Sequence, residues 1–367
     1  MIKKIISVAI NAFFRFLPIN QKKIVFQSTR YKVTDNPYYI YKYIKDNNLD
    51  YKLVFIVDKN ADVSNLANGD FAYVRSLKAY YHLATYKYLF TCQSLGSILK
   101  KRKNQIYIQL WHSISLKKMG LDVSNPDNLT RLEHTLDWDY VVSSSEFESR
   151  VLKSSSGYTC KTKLLGNPRT DALFAHFDIP SIKAKLGIVD DKKIVLYAPT
   201  FRDWELHKDN ISIDLPNNIT DNYTVLIRLH PLIAQKIDKS LFTDNIINVC
   251  DYSNLNELLA LADILITDYS SICFDYSLLH KPTIFYAYDY KEYSECRGGL
   301  YLDFNKDLPG PVAFSKNELY QLFENIDEVL NKFAVSTEEF NRKYSTMNDG
   351  NVCQRIIHEL QNGGFNI

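Results

Sequence analysis

The stretch Ile264-Leu265-Ile266-Thr267-Asp268-Tyr269-Ser270-Ser271-Ile272-Cys273-Phe274-Asp275-Tyr276 decides the fold class. Its first four residues form an apolar, largely β-branched run without polar alternation. Such a run marks a strand buried on both faces. Asp268 or Ser270 can then cap a helix, expected over Ser270–Leu279. A strand, a polar turn and a helix make half of a βαβ unit, and such units build parallel sheets with helices on both faces.

The same alternation extends outward in both directions. Toward the C-terminus it adds a strand at Thr283–Tyr288, and toward the N-terminus strands at Ile246–Cys250, Thr224–His230 and Ile194–Pro199, with a helix at Asn254–Ala262. A first set occupies Ile24–Ser28, Leu53–Asp58, Tyr88–Gln93, Ile106–Trp111 and Tyr140–Ser143, with helices at Asn36–Lys45 and Ser76–Tyr86. The tail from Ser315 to Asn362 reads as helices only. The expectation is an α/β protein of two doubly wound, Rossmann-like domains facing a cleft. The polar stretch Pro180–Asp191 sets the division: residues 21–185 form one domain, and 186–367 form the second with its helical tail. In such folds ligands bind beyond the carboxyl ends of the strands.

The bulk numbers narrow the function. Across 367 residues, 46% are hydrophobic, enough for two cores, and 23% are charged. A net charge of only +2 gives no overall field for nucleic acid, which is not an expected partner. The six cysteines, at 92, 160, 250, 273, 296 and 353, are scattered without metal-ligand spacing, as in a reducing cytoplasm. Residues 1–20 differ from the rest. Lys3, Lys4 and Arg15 flank Ile5, Ile6, Val8, Ile10, Phe13, Phe14, Phe16 and Leu17. That apolar stretch is too short to span a bilayer and lacks a cleavage site. It suits a helix lying in the headgroup plane, or one packed on the protein's own surface.

Polar residues gather just past the expected strand ends. In Ile108-Gln109-Leu110-Trp111-His112-Ser113-Ile114-Ser115-Leu116-Lys117-Lys118, a histidine follows the strand at once, suited to take a proton near neutral pH. The loop behind it offers backbone N–H groups and two lysines to a phosphate. A capping histidine beside a solvated lysine pair reads equally from position alone. Gly166-Asn167-Pro168-Arg169-Thr170-Asp171 turns an arginine outward, suited to bidentate phosphate recognition or to pairing with Asp171. Tyr197-Ala198-Pro199-Thr200-Phe201-Arg202-Asp203 sets a hydroxyl and an arginine at another strand end. Arg228-Leu229-His230-Pro231 puts a cation and an imidazole on one side of a strand terminus, which suits a diphosphate. Ser270 and Ser271 at a helix start make an anion site, or merely a cap. Asp275, about one turn in, can reach a ribose or base. There is no P-loop, dinucleotide fingerprint, zinc spacing or acidic pair suited to Mg²⁺, so neither cofactor nor metal is expected.

Taken in order, these motifs resemble the CDP-glycerol glycerophosphotransferase family, the teichoic acid primases and polymerases. The resemblance runs from Leu17-Pro18-Ile19-Asn20 and Asp35-Asn36-Pro37 through Trp111-His112, Gly166…Pro168-Arg169, the Asp268–Asp275 run, Arg297-Gly298 and Pro309-Gly310-Pro311 to Asp349-Gly350…Arg355-Ile356. It implies a glycosyltransferase-like fold of the B type, with an acceptor-side N-terminal domain and a C-terminal domain holding a CDP-polyol. It also implies peripheral attachment to the cytoplasmic face of the cell membrane, where the acceptor is a lipid-linked saccharide or growing polymer. Carried onto this chain, His112 is the general base, and His230 with Arg228 and Leu229 supports the diphosphate and the departing CMP. Ser270 and Ser271 hold phosphates, Asp275, Pro199 and Thr200 line the donor pocket, and Arg169 pairs with a phosphate. Ser113, Ile114, Ser115 and Leu116 contact the transferred group. Ser113 and Ser115 stand where the family commonly has Gly and Pro. A nucleotide-sugar transferase of the same fold and a non-catalytic polymer-binding member are the competing expectations.

Overall fold

Apolar strands that bury both faces need helices above and below, and the chain supplies them twice. The computed structural model describes residues 13–93, 101–112, 114–123, 137–202, 204, 213–230 and 233–366. Residues 1–12 of the expected membrane-surface helix, Ser113, and the motif residues Asp203 and Pro231 lie outside the described residues.

The first unit holds strands β1 (Lys23–Gln27), β2 (Lys52–Val57), β3 (Phe71–Tyr73), β4 (Tyr88–Thr91), β5 (Ile106–Gln109), β6 (Tyr140–Ser143) and β7 (Lys161–Leu164). They pair in parallel in the order β3-β2-β1-β4-β5-β6-β7. Helices α1 (Asp35–Asp46), α2 (Leu77–Thr85) and α3 (Glu146–Ser156) belong to it. Ser76 and Ser145 cap α2 and α3 by accepting from Ala79 N and Glu148 N.

The second unit repeats the plan. It has α4 (Ile179–Leu186), β8 (Ile194–Tyr197), α5 (Asn217–Asn222), β9 (Thr224–Ile227), β10 (Ile246–Asn248), α6 (Leu255–Leu261), β11 (Ile264–Thr267), α7 (Ile272–Ser277), β12 (Thr283–Tyr286), α8 (Tyr290–Cys296) and β13 (Val312–Ala313). Helices α9 (Lys316–Glu324) and α10 (Ile326–Tyr344) follow. The parallel order is β10-β9-β8-β11-β12-β13. In both sheets the order reverses beside the first strand, between β1 and β4 and between β8 and β11. Doubly wound folds open their ligand crevices at such reversals.

The expected strands are all present. Three further strands, β3, β7 and β13, are edges of their sheets. Edge strands are often short or polar, and these three carry no long apolar run, whereas β10, the other edge of the second sheet, is legible from Ile246-Ile247. Lys161-Thr162-Lys163-Leu164 shows this in its partial exposure.

The domain boundary differs from the expectation. The chain leaves the first unit between Asp171 and Ala172, not near residue 186, so α4 belongs to the second sheet. The helical tail also divides: residues 346–366, with α11 (Val352–Gln361), belong to the first unit, and residues 114–123 to the second. The cause is packing. Val352, Ile356, Ile357, Leu360 and Phe365 share one core with Ile24, Ile40, Ile44 and Ile108. The half-buried Asp171 carboxylate fixes the register of α11 by accepting from Val352 N at 2.9 Å and Cys353 N at 2.7 Å. Gly166 meets the same segment with φ 104°. A Cβ there would lie 2.5 Å from Val352 Cγ2 and 2.6 Å from the Met347 carbonyl oxygen.

Candidate active site

In the first unit the site forms where β5 ends. Trp111 sits in the left-handed region at φ 50°, and Asp35, which opens α1, at φ 62°. A non-glycine residue held there is strained by about 1–3 kcal/mol and persists only where its surroundings over-determine it. Here Asn36, fully buried, supplies the hold. Its Nδ2 donates to Leu110 O at 3.2 Å and Trp111 O at 3.0 Å, and its Oδ1 accepts from Arg169 N at 3.0 Å. One amide thus joins the strand end to the turn that carries Arg169.

This turn of the backbone presents His112. Its ring stacks on Trp111, centroids 4.6 Å apart, and its Nδ1 lies 3.0 Å from the Cys92 carbonyl oxygen. A carbonyl only accepts, so Nδ1 carries the hydrogen and the neutral ring keeps its lone pair on Nε2. The His112 residue is exposed, as a proton acceptor requires. Arg169 donates from Nη1 to the His112 carbonyl and to Asp35 Oδ1 at 3.3 Å. The carboxylate partner of Arg169 is therefore Asp35, while Asp171 caps α11. Cys92, close by, is no nucleophile: its thiol lies 3.5 Å from Thr29 Oγ1, and burial pushes it up to about 12.

The loop behind His112 is anchored in the second unit. Ile114 and Leu116 are buried. Ser115 Oγ donates to Lys117 O at 2.7 Å. Tyr301 N donates to Leu116 O, and Lys118 N to Gly299 O, so 116–118 runs antiparallel to 299–301.

The other candidates lie at the carboxyl ends of β8, β9 and β11. Thr200 N donates to Asp268 Oδ1 at 2.8 Å, joining the loop after β8 to the turn after β11 across the reversal of strand order. Pro199 and Thr200 stay partly exposed. Ser270 Oγ accepts weakly from Ile272 N at 3.4 Å, and Ser271 stands at the N-cap of α7 without a side-chain cap bond. His230 lies against Phe201, ring centroids 4.5 Å apart. Arg228 donates from Nη1 to Val249 O at 3.0 Å and Tyr252 O at 2.9 Å, and burial lowers its guanidinium pKa. At least one of its nitrogens therefore buttresses the backbone. Leu229 is a core residue, and Asp275 is 5% exposed within α7.

Sequence reasoning named the hydroxyls, cations and imidazoles but gave no role to the groups that orient them. Asn36 and Asp35 were visible only as a polar pair before Pro37. The Cys92 carbonyl carries no side-chain signal at all. Arg202 and Asp289, which organise the second unit's loops, lie 87 residues apart in the chain.

Comparison with known proteins adds four findings. The family model described as CDP-Glycerol:Poly(glycerophosphate) glycerophosphotransferase matches residues 9–362. A teichoic acid glycerol-phosphate transferase of Staphylococcus aureus is 32% identical, with 98% of each chain covered. A teichoic acid poly(glycerol phosphate) polymerase of Bacillus spizizenii is 33% identical over 94% of this chain and 93% of its own. Among solved structures, the wall teichoic acid polymerase TagF superposes with a TM-score of 0.84 at 26% identity, covering 98% of this chain and 96% of that one.

Proposed function

The chain belongs to the CDP-glycerol:poly(glycerophosphate) glycerophosphotransferase family, and from that premise we propose that it transfers a polyol phosphate from a CDP-polyol to an acceptor hydroxyl, releasing CMP. The observation that carries the reading is the tautomer of His112: the Cys92 carbonyl holds the hydrogen on Nδ1 and leaves Nε2 basic at an exposed strand end. The donor is CDP-glycerol or CDP-ribitol. The acceptor is a hydroxyl of a lipid-linked saccharide or of a growing polyol-phosphate chain.

The chemistry balances without a covalent enzyme intermediate. His112 Nε2 takes the acceptor's proton as its oxygen attacks the phosphorus that bears the polyol. The new P–O bond forms in line as the bond to the bridging oxygen breaks, and CMP departs with that oxygen. Ser270, Ser271, Arg228 and His230 hold the diphosphate, and Pro199, Thr200 and Asp275 line the rest of the donor pocket. Arg169 positions His112 through its carbonyl and pairs with a phosphate. Most of the rate comes from positioning and charge stabilisation, as is usual for phosphoryl transfer.

Contact with a membrane is supported by the end of the N-terminal segment, where Phe13 and Phe16 are 67% and 90% exposed. Among the described residues no helix is long and apolar enough to cross a membrane. An apolar and basic surface segment of this kind brings the enzyme to a lipid-linked acceptor.

The test is to supply CDP-glycerol, CDP-ribitol and a panel of nucleotide sugars with a lipid-linked saccharide and follow nucleotide release. CMP from a single CDP-polyol names the donor. Nucleoside diphosphate from a sugar donor, with both CDP-polyols inert, overturns the reading.

A further inference from the structure

Arg202 is 2% exposed, so it is closed to a ligand, yet its guanidinium is bonded to several separate groups of the second unit's loops. Its Nε and Nη2 grip both oxygens of Asp289, at 2.5 and 2.9 Å. Its Nη1 donates to Asp268 Oδ2 at 2.7 Å and to the Thr200 carbonyl. Asp268 uses its other oxygen for two backbone donors, Thr200 N at 2.8 Å and Tyr269 N at 2.5 Å. Tyr269 donates its hydroxyl to Asp289 Oδ1 at 2.9 Å, and its ring stacks 3.9 Å from that of Tyr293. The guanidinium carbon lies 5.0–5.5 Å from the ring centres of Tyr293, Tyr269 and Tyr288.

One guanidinium thus ties together three separate segments: the loop after β8, the turn after β11, and the turn before α8. The first two carry Pro199, Thr200, Ser270 and Ser271. The cluster holds two carboxylates to one cation, so it is not itself a place for an anion. Nor does it suit bulk stability, since apolar side chains fill such a space without the desolvation of buried charge. What apolar packing does not provide is direction. The Asp268 carboxylate accepts from backbone N–H groups on either side of the reversal in strand order, which fixes the two turns against each other, and Arg202 fixes that carboxylate.

We propose that Arg202, acting through Asp268 and Asp289, is the positioning residue of the donor half-site: it sets the geometry in which the 199–200 and 270–271 loops receive the CDP-polyol. The proposal rests on the donor-site reading above. It predicts an effect on donor affinity separate from the effect on the chemical step.

The test uses the full chain and three substitutions of graded severity. Arg202→Lys keeps the charge, but an ammonium cannot span two carboxylates in one plane. Asp289→Asn keeps an acceptor for Tyr269. Tyr269→Phe removes a single hydroxyl and keeps the ring stack. Donor binding is measured by calorimetric titration with CDP-glycerol and CDP-ribitol, turnover by CMP release, and folding by thermal melting. The expected result for Arg202→Lys is a Kd and KM for the donor raised roughly tenfold or more, with kcat at saturating donor within about threefold and the pH profile of kcat unmoved. Tyr269→Phe, which loses one charge-assisted hydrogen bond, is expected to raise Kd about threefold or more without unfolding. Wild-type Kd in the folded variants, Tyr269→Phe included, overturns the proposal. Absence of binding of either CDP-polyol to the wild-type chain strikes the donor-site reading itself, a result distinct from equal binding by wild type and variants.

Discussion

At the scale of single residues, the site depends on groups whose chemistry is set by what lies behind them. His112, the proposed base, has a backbone carbonyl, not a carboxylate, facing its Nδ1. That contact orients the ring. Replacing it with alanine is expected to lower kcat by about 10²–10⁴-fold while the donor Kd stays within a few-fold of wild type. Single-turnover CMP release and titration separate the two effects, and a His112→Ala enzyme with near-native kcat removes the base assignment. Arg169 shows how neighbours in sequence mislead. Asp171 stands two positions away and makes an obvious salt-bridge partner, yet the chain spends Asp171 on the N-terminus of α11 and pairs Arg169 with Asp35.

At the scale of elements, the buried polar residues report on how helices and turns are held. His82 lies in α2, half-buried, with no hydrogen-bond partner for Nδ1. Burial, with Lys23 and Lys78 nearby, lowers its pKa from 6.5 to about 4. The unfolded chain binds its proton below about 6.5 and the folded chain only below about 4, so folding loses stability as pH falls through that window. Thermal midpoints measured from pH 7 to 4 are expected to fall, and His82→Phe to flatten part of that fall; an identical slope in the variant discards the assignment. Gly166 makes a second element-scale case. Alanine there meets an unfavourable φ together with contacts from Val352 and the Met347 carbonyl. A loss of at least about 2 kcal/mol in urea unfolding is expected. The expected helix at Ser270–Leu279 shortens to Ile272–Ser277, while its strand, β11, runs over Ile264–Thr267 as the pattern indicates. Strand interiors are specified by their own apolar residues, whereas helix ends are settled by the neighbours that take up their free backbone groups.

At the scale of the whole molecule, two segments far apart in sequence, residues 13–112 and 346–366, share the first unit. Val352, Ile356, Ile357, Leu360 and Phe365 are each at most 4% exposed in the first unit's core. Burying five such side chains contributes about 8–15 kcal/mol, comparable to the entire stability of a domain. A chain ended after Ser345 is therefore expected to lose the folded first unit, read as early proteolysis of residues 13–171 and a diminished melting transition. Persistence of that unit would falsify the packing argument. The sequence by itself determined the fold class, the central strands of both sheets, the reaction class through its ordered motifs, and the strand-end positions of His112, Arg169, Thr200, His230 and Ser270. Those features are local, because a buried parallel strand must be a continuous apolar run and its carboxyl end must carry the ligand groups. Only the tertiary structure decided the edge strands β3, β7 and β13, the boundary at Asp171, the return of residues 346–366 to the first unit, the group that faces His112 Nδ1 and the clamp centred on Arg202. Each of these is a pairing between segments far apart in the chain. A carbonyl at Cys92 or a carboxylate at Asp289 carries no mark of its partner until folding brings the two within hydrogen-bond reach.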